Sequence, residues 1–253
     1  MSARVVFIGA GPGAADLITL RGAHRLAQAD VVLHDALTDP ALREFAPQAR
    51  WIHVGKRGFC DSTGQATINA LLVKHARENA VVVRLKGGDP SLFGRLEEEL
   101  EALQAAGIPA EVIPGVTAAI AAAADTQRPL TRRGSGRSVT LSTAMTREGT
   151  LQGGRRADTE VFYMAGKQLG ALARRLLESG WPGDTPASVV SRAGWPDMLH
   201  SQHAVAELAA AGLLHAGRPT VVTVGAGARP LSARRHGIDV PQGLPGRVET
   251  RAA

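Results

Sequence analysis

Twice in its first hundred residues the sequence passes from a short apolar run into a turn crowded with glycine: Val5 to Ile8 into Gly9-Ala-Gly-Pro-Gly13, and Val81 to Leu85 into Lys86-Gly-Gly-Asp-Pro90. Glycine permits positive φ and lets a ligand approach the main chain, and in an open α/β sheet ligands lie beyond the carboxyl ends of the strands. One Gly-Gly-Asp-Pro turn reads as an ordinary reversal between strand and helix. Two such turns suggest one shared ligand site on an α/β sheet.

Strand-like runs at Arg4 to Ile8, Asp30 to His34, Arg50 to Val54, Val81 to Leu85 and Ala110 to Ile113 alternate with helical patterns such as Thr19 to Ala29, Thr67 to Glu78 and Arg95 to Ala106. That alternation predicts a largely parallel sheet with helices on its faces. A helix of small residues, Val116 to Ala124, leads into the irregular stretch Gln127 to Gly134. The periodicity then restarts with Ser138 to Ser142, Thr159 to Met164, an amphipathic helix from Gln168 to Glu178, Ala187 to Ser191 and Thr220 to Gly225. The restart predicts two α/β domains, residues 1–124 and 125–228. Residues 229–253, where proline, glycine and Arg234-Arg235 replace apolar periodicity, read as a mobile basic tail, and Thr146 to Asp158 as an exposed loop.

The formal charge of +6 comes largely from arginine and is compatible with nucleic acid, an anionic membrane or an acidic small molecule. With only 4% aromatic residues there is no stacking platform for nucleic acid, which favours the acidic small molecule. Cys60, the single cysteine, allows neither an internal disulfide nor a cysteine-cluster metal site and fits a reducing cytoplasm. The first strand begins too near Met1 for a cleavable leader, and no apolar run reaches the ~18 residues of a membrane span.

Taken alone, Gly9-x-Gly11-x-x-Ala14 with Asp35 closing the second strand fits the phosphate loop and ribose-binding acid of a dinucleotide oxidoreductase. Pro12 and Gly13 delay the following helix, and the reading leaves Gly87-Gly88-Asp89 unexplained.

The ordered set Val6-Phe-Ile-Gly-Ala-Gly-Pro-Gly13, Asp16-Leu-Ile-Thr-Leu20, Ala29-Asp-Val-Val-Leu-His-Asp35, Val54-Gly-Lys-Arg57, the glycine-aspartate stretch, Pro114-Gly-Val-Thr-Ala-Ala119, Pro129-Leu-Thr131 and Phe162-Tyr-Met164 resembles the tetrapyrrole methylases. The likeness runs from about Arg4 to Gly227 and is strongest to members that act on uroporphyrinogen III. It implies two α/β domains with S-adenosylmethionine folded in the cleft between them, a cytoplasmic homodimer, and successive transfer of two methyl groups to carbons 2 and 7 of the tetrapyrrole. The products would be precorrin-2, for sirohaem, cobalamin or haem d1, and S-adenosylhomocysteine.

By the same resemblance, cofactor contacts fall on Pro12, Gly87, Gly88, Asp89, Leu92, Thr117, Ala118, Met164 and Ala193. Asp35 takes the proton-acceptor position and Lys56 the proton-donor position, with no metal required. Arg95 and Glu98 match the family's Gly-Arg-x-x-Glu and would bind or orient the substrate's carboxylates, as planar guanidinium forks do. Arg132, Arg133 and Arg137 add positive charge near the connection between the halves. Ser91-Leu92, Leu96-Glu97 and Arg132 depart from the family pattern, and the Asp-Pro-Ser-Leu form leans toward methylases acting later on the corrin ring; Lys86 and Val-Gly-Lys-Arg lean back toward uroporphyrinogen III.

Overall fold

The computed structural model describes residues 4–55, 64–144 and 157–231. Lys56, Cys60, most of the segment read as an exposed loop and the tail beyond residue 231 lie outside the described residues.

The first half builds a wholly parallel sheet from β1 (Arg4–Gly9), β2 (Val31–His34), β3 (Arg50–His53), β4 (Val81–Lys86) and β5 (Ala110–Ile113), in the order β3-β2-β4-β1-β5. Its central strands are near-continuous apolar runs because both faces are covered. Val6, Ile8, Val32, Val83 and Leu85 pack on one face with Leu26 of α1 (Leu20–Leu26). Val5, Phe7, Val31, Leu33 and Val82 pack on the other with Leu72 of α2 (Gln65–Glu78) and Leu103 of α3 (Leu96–Ala105). The Thr19 side chain caps α1 by accepting from the Gly22 N–H at 3.0 Å, and the first turn of α3 carries Glu97, Glu98 and Glu99, the sign its positive dipole end favours.

After α4 (Ala118–Asp125) the second half forms another five-stranded sheet: β6 (Val139–Thr143), β7 (Thr159–Tyr163), β8 (Pro186–Ser191), β9 (Leu199–Ala204) and β10 (Thr220–Gly225), ordered β6-β7-β10-β8-β9. Only β6 and β7 run parallel; the other pairs are antiparallel. Between β7 and β8, α5 (Leu169–Glu178) buries Leu169, Leu172, Ala173 and Leu176, and α6 (Ala211–Leu214) precedes β10.

This order removes the dinucleotide reading. A dinucleotide fold places its first two strands side by side, whereas here β4 separates β1 from β2. The first glycine turn leads into a single 3-10 turn at Ala15–Leu17, and α1 begins only at Leu20, so no helix N-terminus stands behind the turn.

Candidate active site

At the carboxyl edge of the parallel sheet the two glycine turns close on each other. The Gly88 N–H donates to the Gly11 carbonyl at 2.7 Å, and the Gly11 N–H returns the bond to Gly88 at 3.3 Å. Main chain crosses main chain here: a Cβ on Gly9 would lie 2.5 Å from Gly115 Cα and 2.7 Å from the Gly88 oxygen. Asp89 pins the crossing, with Oδ1 accepting from Ser91 N–H and Oδ2 from Gly115 N–H, each at 2.8 Å.

These turns form one wall of a cleft whose other wall is the second sheet. Pro12, Gly87, Gly88, Asp89, Leu92, Thr117, Ala118, Met164 and Ala193 all line it, so the structure brings together every residue the sequence assigned to the cofactor. A second ring of lining residues was not foreseen: Leu37, Phe93, Tyr163, Val190, Arg192, Trp195, Pro219, Thr220 and Val221. Tyr163 stands in the Phe162-Tyr-Met164 signature and could have been chosen there. Arg192 and Trp195 flank Ala193 but belong to no motif.

Several of these residues hold the cleft in shape. The Tyr163 and Thr117 hydroxyls are 2.8 Å apart at the start of α4, and burial pushes the Tyr163 phenol upward from its ordinary pKa. Phe93 packs on Tyr163 with ring centroids 5.1 Å apart. Phe93, Met164 and Arg192 all adopt left-handed φ, at 54°, 57° and 53°; strained backbone of this kind persists where surrounding packing dictates it, and it clusters at binding sites. The halves are stitched together beside the cleft, where Trp195 Nε1–H donates to the Pro12 carbonyl at 2.9 Å and Ala14 N–H to the Gly194 carbonyl at 2.8 Å. Arg192 lies 4.2 Å over the Trp195 ring and reaches Asp197 at 2.7 Å.

The cleft suits a ligand with a flat apolar part and a short polar arm. Gly88 adopts φ of +71° with open space where a Cβ would be, so main chain is exposed beside Asp89, while Leu92, Val190, Ala193 and Val221 provide apolar walls.

Asp35 lies outside this cleft. Its Oδ1 accepts from Arg84 Nη2 at 2.6 Å, and Arg84 Nε donates to Glu99 Oε1 at 3.1 Å while Lys86 Nζ meets Glu99 Oε2 at 2.8 Å. Arg84, Lys86 and Glu99 are 2%, 3% and 0% exposed, so two cations and two carboxylates form a closed, charge-balanced chain under the sheet edge. Burial, then the neighbouring Arg84 charge, lower the Lys86 pKa against the pull of Glu99. Asp35 faces a smaller cavity with His34, Arg43, Trp51 and His53, separated from the cleft by a loop whose Leu37 side chain packs on Gly87.

Arg95 and Glu98 form a bidentate pair at 2.7 and 2.6 Å, both about half exposed, just beyond Phe93. The fork raises the Arg95 pKa. Neither residue lines the cleft. Arg132, Arg133 and Arg137 belong to the turn around Gly136, where Arg132 donates to the Arg229 carbonyl and the Arg137 N–H to Asp158; they stand away from the cleft walls because this turn packs on the opposite end of β7. Among the described residues no cluster of three or more His, Cys, Asp or Glu is arranged to hold a metal ion, and no helix is long and apolar enough to cross a membrane.

A family model described as Tetrapyrrole (Corrin/Porphyrin) Methylases matches residues 4–209. The uroporphyrinogen-III C-methyltransferase of Pseudomonas aeruginosa is 40% identical over 234 residues, covering 89% of this chain and 94% of its own. A siroheme synthase of Gluconacetobacter diazotrophicus is 41% identical over 250 residues, and the chain, 96% covered, spans about half (52%) of that longer protein. Among solved structures, a uroporphyrin-III C-methyltransferase of Thermus thermophilus complexed with S-adenosylhomocysteine superposes with a TM-score of 0.77 at 35% identity, covering 88% of this chain and 97% of the other.

Proposed function

The chain belongs to the tetrapyrrole (corrin/porphyrin) methylases, and from that premise we propose that it is an S-adenosylmethionine-dependent uroporphyrinogen-III C-methyltransferase, converting its substrate to precorrin-2 by methylation at carbons 2 and 7. The observation that carries the reading is the convergence of nine residues from separate segments, Pro12 to Ala193, on one cleft, beside a carboxylate held by a buried arginine. The relatives of this length that share about 40% identity carry uroporphyrinogen III in their names, which disfavours a later corrin-ring substrate.

S-adenosylmethionine supplies an electrophilic methyl group on a sulfonium. The main chain of Gly87 and Gly88 and the Asp89 carboxylate would hold its polar arm, while Leu92, Met164 and Ala193 would enclose the adenine. The enzyme's first task is alignment of the substrate carbon with that methyl group, and the stitched, strained cleft walls fix this geometry in advance. Methylation leaves the attacked carbon quaternary, so the proton that neutralises the product comes from a ring N–H or a neighbouring meso carbon; Asp35, oriented by Arg84, would accept it, and Lys56 would return a proton. Arg95, steadied by Glu98, presents a guanidinium to the substrate's carboxylates. The domain division at residues 124 and 125, homodimeric assembly and a cytoplasmic location belong to the same reading.

Anaerobic incubation with uroporphyrinogen III and S-adenosylmethionine, followed by mass spectrometry, should show two added methyl groups; none would refute the assignment. Asp89→Ala, which releases the Gly115 and Ser91 amides, should abolish S-adenosylmethionine binding measured by calorimetry.

A further inference from the structure

The smaller cavity beside Asp35 has a polar inventory that can be counted out. Asp39 is committed to the amides of Ala15 (3.1 Å) and Ala41 (2.9 Å), Trp51 Nε1–H to the Ala46 carbonyl (3.1 Å), and Thr38 donates to the Asp35 carbonyl (2.8 Å). His34 Nδ1 sits 3.2 Å from that carbonyl and from the Thr38 oxygen. The carbonyl has no proton and the Thr38 proton is spent, so Nδ1 carries the hydrogen and Nε2 holds the lone pair. That Nε2 is buried and has no partner. A buried polar atom left so is unfavourable unless a ligand or water answers it.

Two further, exposed groups face the same space with no hydrogen bond or ion pair among the described residues: Arg43, 5.3 Å over the Trp51 ring, and His53, paired in register with His34 at the strand ends, with ring centroids 5.1 Å apart. The uncommitted groups are therefore one guanidinium and two imidazoles. Among these lining residues the remaining anion, Asp35, is held by Arg84. The cavity opens at the carboxyl edge of the sheet, one loop away from the cleft, with Ala36 and Thr38 on its side of the loop and Leu37 on the other.

We propose that Arg43, His53 and His34 form a subsite for one peripheral carboxylate of the tetrapyrrole, seating it so that the ring edge lies against Asp35. The inference rests on the methyltransferase reading, since it takes the polycarboxylate substrate from there. Arg43 and His53 donate to the carboxylate oxygens. His34 can donate only after gaining a proton at Nε2, so seating draws one proton onto the ring. Burial, together with the positive fields of His53 and Arg43 and against the hydrogen bond with the Asp35 carbonyl and the Asp35 charge, keeps His34 below its ordinary pKa; a bound carboxylate reverses that balance.

The test is fluorescence titration with uroporphyrin III, the oxidised and non-reacting form of the substrate, on the full chain. Arg43→Gln and His53→Gln should each weaken uroporphyrin about tenfold, the loss of one charge-assisted hydrogen bond, and leave S-adenosylmethionine affinity by calorimetry unchanged. Wild-type affinity should rise as pH is lowered from about 8 to about 6 more steeply than that of His34→Gln, which keeps a polar group but cannot titrate. Wild-type affinity and pH slope in all three variants, with the parent protein methylating uroporphyrinogen III, would overturn the subsite alone. A parent protein that neither binds uroporphyrin nor methylates uroporphyrinogen III would overturn both the subsite and the functional reading.

Discussion

Under the parallel sheet one buried polar network is ionic, Arg84, Lys86 and Glu99 reaching out to Asp35, whereas between β8, β9 and β10 the network is built of hydroxyls and imidazoles. Thr220 Oγ1–H donates to the Arg218 carbonyl (2.9 Å), so Ser191 must donate to Thr220 (2.8 Å) and His215 Nδ1–H to Ser191 (2.6 Å). His215 Nε2 then accepts from Ser201 (2.8 Å), which in turn accepts from His203 (2.8 Å). Proton counting fixes a neutral His215 in one tautomer. Both networks hold a sheet edge, yet a buried ionic set is dearer to desolvate than an apolar or neutral one of similar shape. In the proposed reaction the ionic set lies where a charge would be aimed at substrate. The neutral set backs a cleft wall, at Thr220, that needs only to stay in place.

The sharpest way to break this contrast is to remove the shared anion. Glu99→Ala leaves Lys86 buried without a partner and Arg84 with Asp35 alone, and should cost about 3–5 kcal/mol in urea unfolding; a loss under ~1 kcal/mol would mean that water already serves those cations and that the ionic description is wrong. His215→Leu strands the Ser191 and Ser201 hydroxyls and should cost about 1–3 kcal/mol. The same residue gives the neutral network a pH signature. Burial holds the folded-state pKa of His215 below its ordinary value, so its contribution is present above the unfolded value near ~6.5 and lost as pH falls from there toward the folded value. His215→Leu should lose that part of the acid slope, and an unchanged slope would remove His215 from the account. Smallest is the exposed Arg95–Glu98 fork: Glu98→Gln should shift stability by no more than ~0.5 kcal/mol while raising KM for uroporphyrinogen III. A large stability loss there would make the pair structural.

Much of the first half could be read in advance because its chemistry is local. The five parallel strands are apolar runs separated by turn residues, and the predicted runs lie within a residue or so of β1 to β5. The second half hid more. β9 contains His200-Ser-Gln-His203 and is held by its ladder to β8 at the sheet edge, so no apolar period announces it, and the antiparallel turnover of the sheet went with it. The nine residues proposed for the cofactor, all on the cleft, could be named from ordered motifs, but Phe93, Arg192 and Trp195 reach the cleft through left-handed backbone and contacts across the two halves. Arg84 looked like one more strand position. Only the assembled sheet shows that it holds Asp35 in an ion pair and that Asp35 stands a loop away from the cleft.

The crossing at Gly9 and Gly115 has a consequence for how such a chain can drift. Every amino-acid change away from glycine adds at least one carbon, and at these two positions that carbon would strike the backbone of another segment, not a side chain that could swing aside. A replacement at either position becomes tolerable only if two distant stretches retreat in concert, so a saturation library across this edge should return glycine at both positions while the apolar walls opposite accept many solutions.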